Sequence, residues 1–103
     1  MKSEILNDIL VVVSSVCEIP ADEILSKCKR NDVVDARCIF VYYCNKFGFK
    51  AAEVARFLNR KRLCFFNDCL RNYKCFSEQS LSFRLLCHDV SRMLSNKYAS
   101  SQR

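Results

Sequence analysis

The sequence has very few of the residues that interrupt helices. Only one glycine and one proline occur among 103 residues, and tryptophan is absent. Because glycine and proline mark turns and loops, this scarcity excludes a loop-rich or low-complexity chain and favours helices. Half of the residues are hydrophobic, which at this length suffices for a modest core. We therefore expect one all-α domain over residues 1–103.

Metal-site and secretory patterns are also missing. The eight cysteines include no Cys-x-x-Cys pair, and His88 is the one histidine, which argues against zinc. The first ten residues, MKSEILNDIL, mix acids into the apolar stretch and do not fit a signal peptide. No apolar run is long enough to cross a bilayer. We expect reduced, mainly structural thiols, a cytoplasmic location, no membrane contact and no cofactor.

The residue groups that carry catalysis are not evident either. There is no glycine-rich phosphate loop, clustered carboxylates or metal-ligand set, and no small-molecule site is apparent. Cys87, His88 and Asp89 are adjacent, but neighbouring residues on a helix point in different directions and cannot form a nucleophile–base pair. We expect no enzymatic activity.

Charge is distributed unevenly along the chain. Residues 1–26 carry one cation against five acids, a net charge of −4, whereas residues 27–103 carry sixteen cations against six acids, a net charge of +10. A basic majority is typical of proteins that bind a polyanion such as DNA. By charge alone, a basic surface that only maintains solubility is an equally good interpretation.

Apolar spacing predicts about six helices. Their expected bounds are 4–17, Pro20–Lys27, Val33–Lys46, Lys50–Leu58, Arg60–Tyr73, and a last helix from Ser77 or Ser80 to about Ser95. Within the third helix, Cys38–Cys44 has the composition of a strand as well. We choose a buried central helix because its neighbours are helical. Asp32 is the expected cap of that helix, and Gly48 its expected end.

The stretch Lys50–Asn72 is the most informative part of the chain. It predicts two short helices that meet at Asn59, a residue suited to a left-handed turn, so a helix-turn-helix is expected over about 50–73. Arg60, Lys61 and Arg62 crowd the start of the second helix. Cations oppose the dipole there, which favours a role in binding phosphate over an ordinary solvated face.

Further residues extend the predicted DNA surface. A second basic group lies on the loop Lys27–Asn31 and could reach a phosphate or a minor groove, although cations are also favoured after a helix C-terminus. Phe65 could contact a thymine methyl group or a protein partner, or belong to the core. The predicted DNA-binding residues are Lys27, Lys29, Arg30, Lys50, Arg56, Arg60, Lys61, Arg62, Cys64, Phe65, Arg71 and Lys74.

Three segments resemble the C-terminal DNA-binding domain of the bacterial replication initiator DnaA. They are Ile24-Leu25-Ser26-Lys27 followed by basic residues, Val33-Val34-Asp35-Ala36-Arg37, and Glu53-Val54-Ala55-Arg56-Phe57-Leu58 before Arg60. The resemblance covers roughly Ile5–Leu94 and implies a Trp-repressor-like helical bundle. It also implies that Arg60 holds phosphate, that Lys61–Phe65 face the bases, and that Lys27, Lys29 or Arg30 approaches the minor groove.

The family signature is altered in this chain. Where the family has Asp-His-Thr-Thr-Val, the chain has Lys61-Arg62-Leu63-Cys64-Phe65. The leading hypothesis is a bacterial protein that binds double-stranded DNA, with a regulator as one form of this function. The alternative is a protein-interaction module on the same scaffold with degenerate DNA recognition, and a homodimer is compatible with either.

Overall fold

In the part of the chain that is described, the fold consists of six α-helices and contains no strand. The structure, a computed structural model, describes the backbone of residues 2–59 and 64–101 and the side chains of residues 4–59 and 65–97. The helices are α1 (Lys2–Cys17), α2 (Ala21–Leu25), α3 (Asn31–Lys46), α4 (Ala51–Phe57), α5 (Cys64–Gln79) and α6 (Leu81–Ser101). The expected compact all-α bundle is confirmed. Its radius of gyration, 12.8 Å, matches the roughly 13 Å of a folded 100-residue domain.

The centre of the fold is α3, against which α1, α2, α4 and α5 all pack. Ala36, Ile39, Phe40 and Val41 are fully buried although they point in different directions around the helix. The choice of a helix for Cys38–Cys44 is therefore confirmed. Composition could not decide it, because a segment buried on every side shows no hydrophobic periodicity.

The long helix α6 lies antiparallel to α1. Lys97 Nζ, near the end of α6, is 3.2 Å from Asp8 Oδ1 in the first half of α1. The apolar stripe expected for α6 is confirmed, with Phe83, Cys87, Val90 and Leu94 buried. No helix-breaking residue follows Ser95, and α6 continues to Ser101 rather than ending where it was expected to.

Ser80, rather than Ser77, precedes α6. The Ser80 hydroxyl accepts a hydrogen bond from the backbone N–H of Phe83 at 3.2 Å, which is the geometry of an N-cap. Ser77 instead bonds back to the carbonyl of Lys74 at 2.9 Å and lies inside α5. The expected end of α5 at Tyr73 was thus wrong by six residues, because the chain has no breaker before Ser80.

Two bounds near α2 and α3 also differ from the prediction. The helix α2 ends at Leu25 because the N–H and the hydroxyl of Ser26 both bond to the Glu23 carbonyl, at 3.1 and 2.6 Å. The N-cap of α3 is Arg30, so the assignment of Asp32 as the cap was wrong. Asp32 lies in the first turn, where its carboxylate accepts a bond from the adjacent backbone N–H.

The expected turns on either side of α4 are present. Gly48 has φ +92°, which is left-handed, and Phe49 packs back into the core. Asn59 has φ +56° after the last turn of α4, as its residue type predicts. The predicted start of the following helix, Arg60–Leu63, lies outside the described residues.

Candidate nucleic-acid interface

A buried arginine fixes the loop that carries the first basic group. Arg37 of α3 is 7% exposed, and its guanidinium donates four hydrogen bonds to backbone carbonyls. The acceptors are Ile24 at 2.9 Å, Cys28 at 3.1 Å, Ser26 at 2.7 Å and Glu23 at 3.3 Å. These carbonyls belong to the end of α2 and to the loop after it. We call this arrangement the Arg37 clamp, since one side chain bonds two carbonyls within α2 and two in the loop that follows it.

The loop held by the Arg37 clamp presents two exposed lysines. Lys27 and Lys29 are exposed and form no ion pair with any residue whose side chain is described. Arg30 differs, because its guanidinium bonds Glu23 at 2.6 Å and Asp32 at 2.8 Å. The hydrogen bond with Asp32 raises the pKa of Arg30 and lowers that of Asp32. Lys27 and Lys29 are therefore better placed than Arg30 to meet an external anion.

A second group of cations lies on the segment that follows α3. Lys50 and Arg56, at the start and end of α4, are exposed, and neither forms an ion pair within the described residues. The N–H of Lys50 donates to Glu53 Oε1 at 3.0 Å, and the N–H of Glu53 donates to the Lys50 carbonyl at 3.0 Å. These reciprocal bonds fix the first turn of α4 and so the position from which the Lys50 side chain leaves the backbone.

The helix α5 presents a mixed outer face. Arg71 is exposed but bonds Asp68 at 2.6 Å, whereas Lys74, one turn further along, forms no ion pair in the described part of the chain. Phe65 is half-buried and packs against the core. Of the alternatives left open for Phe65, the structure thus favours the core.

The residues at the centre of the prediction are not described. Arg60, Lys61 and Arg62 lie in the gap between residues 59 and 64, and the side chain of Cys64 is likewise outside the described set. Their roles therefore remain predictions from the sequence. The twelve predicted residues thus include five exposed cations without an ion pair in the described region: Lys27, Lys29, Lys50, Arg56 and Lys74.

The lysines on either side of α3 are separated by the length of that helix. This helix has 16 residues, which at 1.5 Å per residue is about 24 Å. Lys27 and Lys29 precede its first turn and Lys50 follows its last, whereas Arg56 lies beside Phe57, whose ring stacks on Phe40 of α3 at 5.8 Å. Because α3 is the buried centre of the fold, this spacing is set by a rigid element.

Arg37 is the functional residue whose role the sequence did not reveal. It lies inside the apolar run Val33–Cys44 and belongs to a segment already noted for its family resemblance. A charged residue within such a run needs buried partners, because an uncompensated buried charge is costly. The position of Arg37 in this run indicates a buried charge that needs partners. Residue spacing alone does not identify these partners, which are carbonyls 9 to 14 residues away.

Three further findings concern metal sites, disulfides and membrane-spanning helices. Among the residues whose side chains are described, no group of three or more His, Cys, Asp or Glu could hold a metal ion. Seven cysteines are described, and none of these takes part in a disulfide. No helix in the described ranges is long and apolar enough to span a bilayer.

Comparison with known proteins gave no assignment. Neither a scan against protein-family models nor a search of curated proteins found a match to this chain.

Proposed function

We propose that this chain is a small bacterial, cytoplasmic DNA-binding protein that resembles the C-terminal domain of DnaA. It binds duplex DNA through a helix-turn-helix formed by α4 and α5. The observation that carries the proposal is the presence of exposed cations without described acid partners at both ends of the buried helix α3. Lys27 and Lys29 lie at one end and Lys50 at the other, and Arg56 lies further along α4 beside Phe57.

The spacing of these cations suits a duplex. The length of α3, about 24 Å, corresponds to roughly seven base-pair steps at 3.4 Å each, so a short duplex is long enough to extend from Lys27 and Lys29 to Lys50. The Arg37 clamp holds the loop lysines in a fixed position, which reduces the ordering that binding requires. In this proposal Arg60 and Arg62 contact phosphate, and Lys61 reaches the bases.

Arg30 and Arg71 are expected to contribute less to DNA binding, because each already forms an ion pair within the protein. Each must leave an acid on its own chain before it can pair with phosphate, so its net contribution falls. Asp68 on the outer face of α5 also repels phosphate and limits how far along α5 the contact extends. We therefore place the main contacts at the unpaired lysines and at the start of the second helix.

Alanine variants measured by fluorescence anisotropy with labelled duplexes test the proposal. Arg60→Ala and Arg62→Ala are expected to weaken binding to every duplex, whereas Lys61→Ala is expected to change sequence preference. The matched control is Lys97→Ala, since Lys97 pairs with Asp8 between α1 and α6 and should not affect binding. Parent-like affinity in both arginine variants would refute the proposed contact.

A second candidate is a protein-interaction module on the same scaffold. The observation that favours it is an exposed apolar pair on α6, Leu81 and Leu85, with 63% and 56% of their surfaces accessible. These residues are one helical turn apart and share a face. Selection from a random duplex pool separates the candidates, because an enriched motif supports a regulator and no recovered DNA supports the interaction module.

A further inference from the structure

A groove between α3 and α5 combines aromatic rings with an ammonium group. It encloses about 330 Å³ and is lined by Tyr42, Asn45, Leu70, Tyr73, Lys74 and Ser77. This volume falls at the lower end of the range for small-ligand sites. No acid lines the groove, and Lys74 forms no ion pair within the described residues.

The aromatic wall of the groove is pre-formed. The rings of Tyr42 and Tyr73 are stacked, with centroids 3.7 Å apart and an angle of 4° between their planes. Tyr73 is anchored from inside the fold, where its ring meets Phe83 edge-on at 5.5 Å. Burial and a hydrogen bond with Cys87 raise the pKa of Tyr73. Tyr42 therefore stacks on a ring that is itself packed against the core.

The polar groups around this wall have unused hydrogen-bonding capacity. The Tyr42 hydroxyl and the Asn45 side chain form no hydrogen bond within the described residues. The Ser77 hydroxyl donates to the Lys74 carbonyl at 2.9 Å, which leaves its oxygen able to accept. An aromatic face, an amide and an ammonium group form the combination that holds a heteroaromatic base with an attached phosphate.

We propose that the groove between α3 and α5 binds a nucleotide unit whose base stacks on Tyr42, with Asn45 at the base edge and Lys74 on the phosphate. The unit is a free mononucleotide or an unpaired nucleotide of a DNA strand, since both present the same chemistry. The site is separate from the contacts proposed for paired DNA, apart from Lys74, and does not depend on duplex binding.

Titration of the ¹⁵N-labelled protein with AMP, adenosine and ribose 5-phosphate tests the site. AMP is expected to bind more tightly than either fragment and to shift the amide signals of Tyr42, Asn45, Lys74 and Ser77. Equal effects of AMP and ribose 5-phosphate would show only a non-specific phosphate contact and overturn the proposal. Shifts confined to other surfaces would overturn it as well.

Variants assign the parts of the site. Tyr42→Leu is expected to lose about tenfold or more in AMP affinity, and Tyr42→Phe, which keeps the ring, to retain most of it. Lys74→Gln should weaken AMP but not adenosine, whereas the control Lys46→Ala should change neither, because Lys46 does not line the groove and lies over the Tyr43 ring. AMP binding that is unchanged in both Tyr42→Leu and Lys74→Gln would refute the assignment.

Two DNA hairpins, one fully paired and one with a single unpaired adenosine, show whether the bound nucleotide is free or part of a DNA strand. A preference for the unpaired form that Tyr42→Leu abolishes assigns the site to DNA, and AMP binding without this preference assigns it to a free nucleotide. If neither AMP binding nor the preference is found, the site is rejected. In that case, equal and tight binding of both hairpins would leave the duplex proposal standing without this site.

Discussion

Replacing Arg37 by methionine isolates the contribution of the clamp. Methionine keeps a long apolar side chain in the buried position but removes all four hydrogen bonds to the carbonyls of residues 23–28. A hydrogen bond from a charged donor contributes about 1.5–3 kcal/mol in isolation. Four bonds from one side chain are not additive, and removing the buried charge also removes its desolvation cost. We expect Arg37→Met to lower the free energy of unfolding by about 3 kcal/mol.

Urea unfolding followed by circular dichroism measures this loss. A decrease of about 3 kcal/mol is a large part of the 5–15 kcal/mol typical of a small domain. Arg37→Lys, which keeps the charge but not the planar fork of donors, should lose an intermediate amount. The control is Arg84→Met, because Arg84 is exposed and donates one bond to the Ser77 carbonyl at 3.2 Å. A loss below about 1 kcal/mol in Arg37→Met would show that the clamp does not stabilise the loop.

Three further predictions concern binding, backbone and pH. Lys27→Ala with Lys29→Ala should reduce the slope of log affinity against log salt by about two, measured by anisotropy, if each lysine contacts one phosphate. Gly48→Ala should cost about 1–2 kcal/mol in urea unfolding because φ is +92° there, while Asn59→Gly at φ +56° should be close to neutral. Burial raises the pKa of Cys17 to about 11 from 9.0. The unfolded thiol ionises first, so the free energy of unfolding should fall between pH 9 and 11, and less so in Cys17→Ala.

Most of the fold follows from local patterns in the sequence. Helical spacing identified the core faces of α1 and α6, including Ile9, Val13 and Val90, which are fully buried. Gly48 and Asn59 marked left-handed positions because their residue types tolerate positive φ. The errors came at helix ends: α5 and α6 run past their expected ends because no breaker interrupts them, and the region after α2 depends on a residue distant in sequence. The end of α2, for example, is held by Arg37, whose acceptors no periodicity indicates.

The candidate site was less predictable than the fold. Local charge gave the positions of Lys27, Lys29 and Lys50, but not the acids that neutralise Arg30 and Arg71. The sequence left Phe65 open between an outer contact and the core, and the structure shows it packed against the core. A helix with several adjacent aromatic residues has more than one plausible apolar face, so packing against α3 decides which is used.

The stacked tyrosines show a second reason why a site can escape prediction from the sequence. Tyr42 and Tyr73 are 31 positions apart, and each is explained locally as part of an apolar stripe. Only the crossing of α3 and α5 brings their rings to 3.7 Å and forms the groove beside them. Sites that depend on such crossings need the tertiary structure, because neither helix carries the full set of groups.

The salt dependence of binding to a 15-base-pair duplex tests the DNA-binding proposal most directly. If the five exposed cations Lys27, Lys29, Lys50, Arg56 and Lys74 each contact one phosphate, the slope of log affinity against log salt between 50 and 200 mM should be about −4.5. Additional contacts from Arg60–Arg62 would make it steeper. Absence of binding at 50 mM salt, or an affinity that does not change with salt, would contradict duplex recognition by this surface.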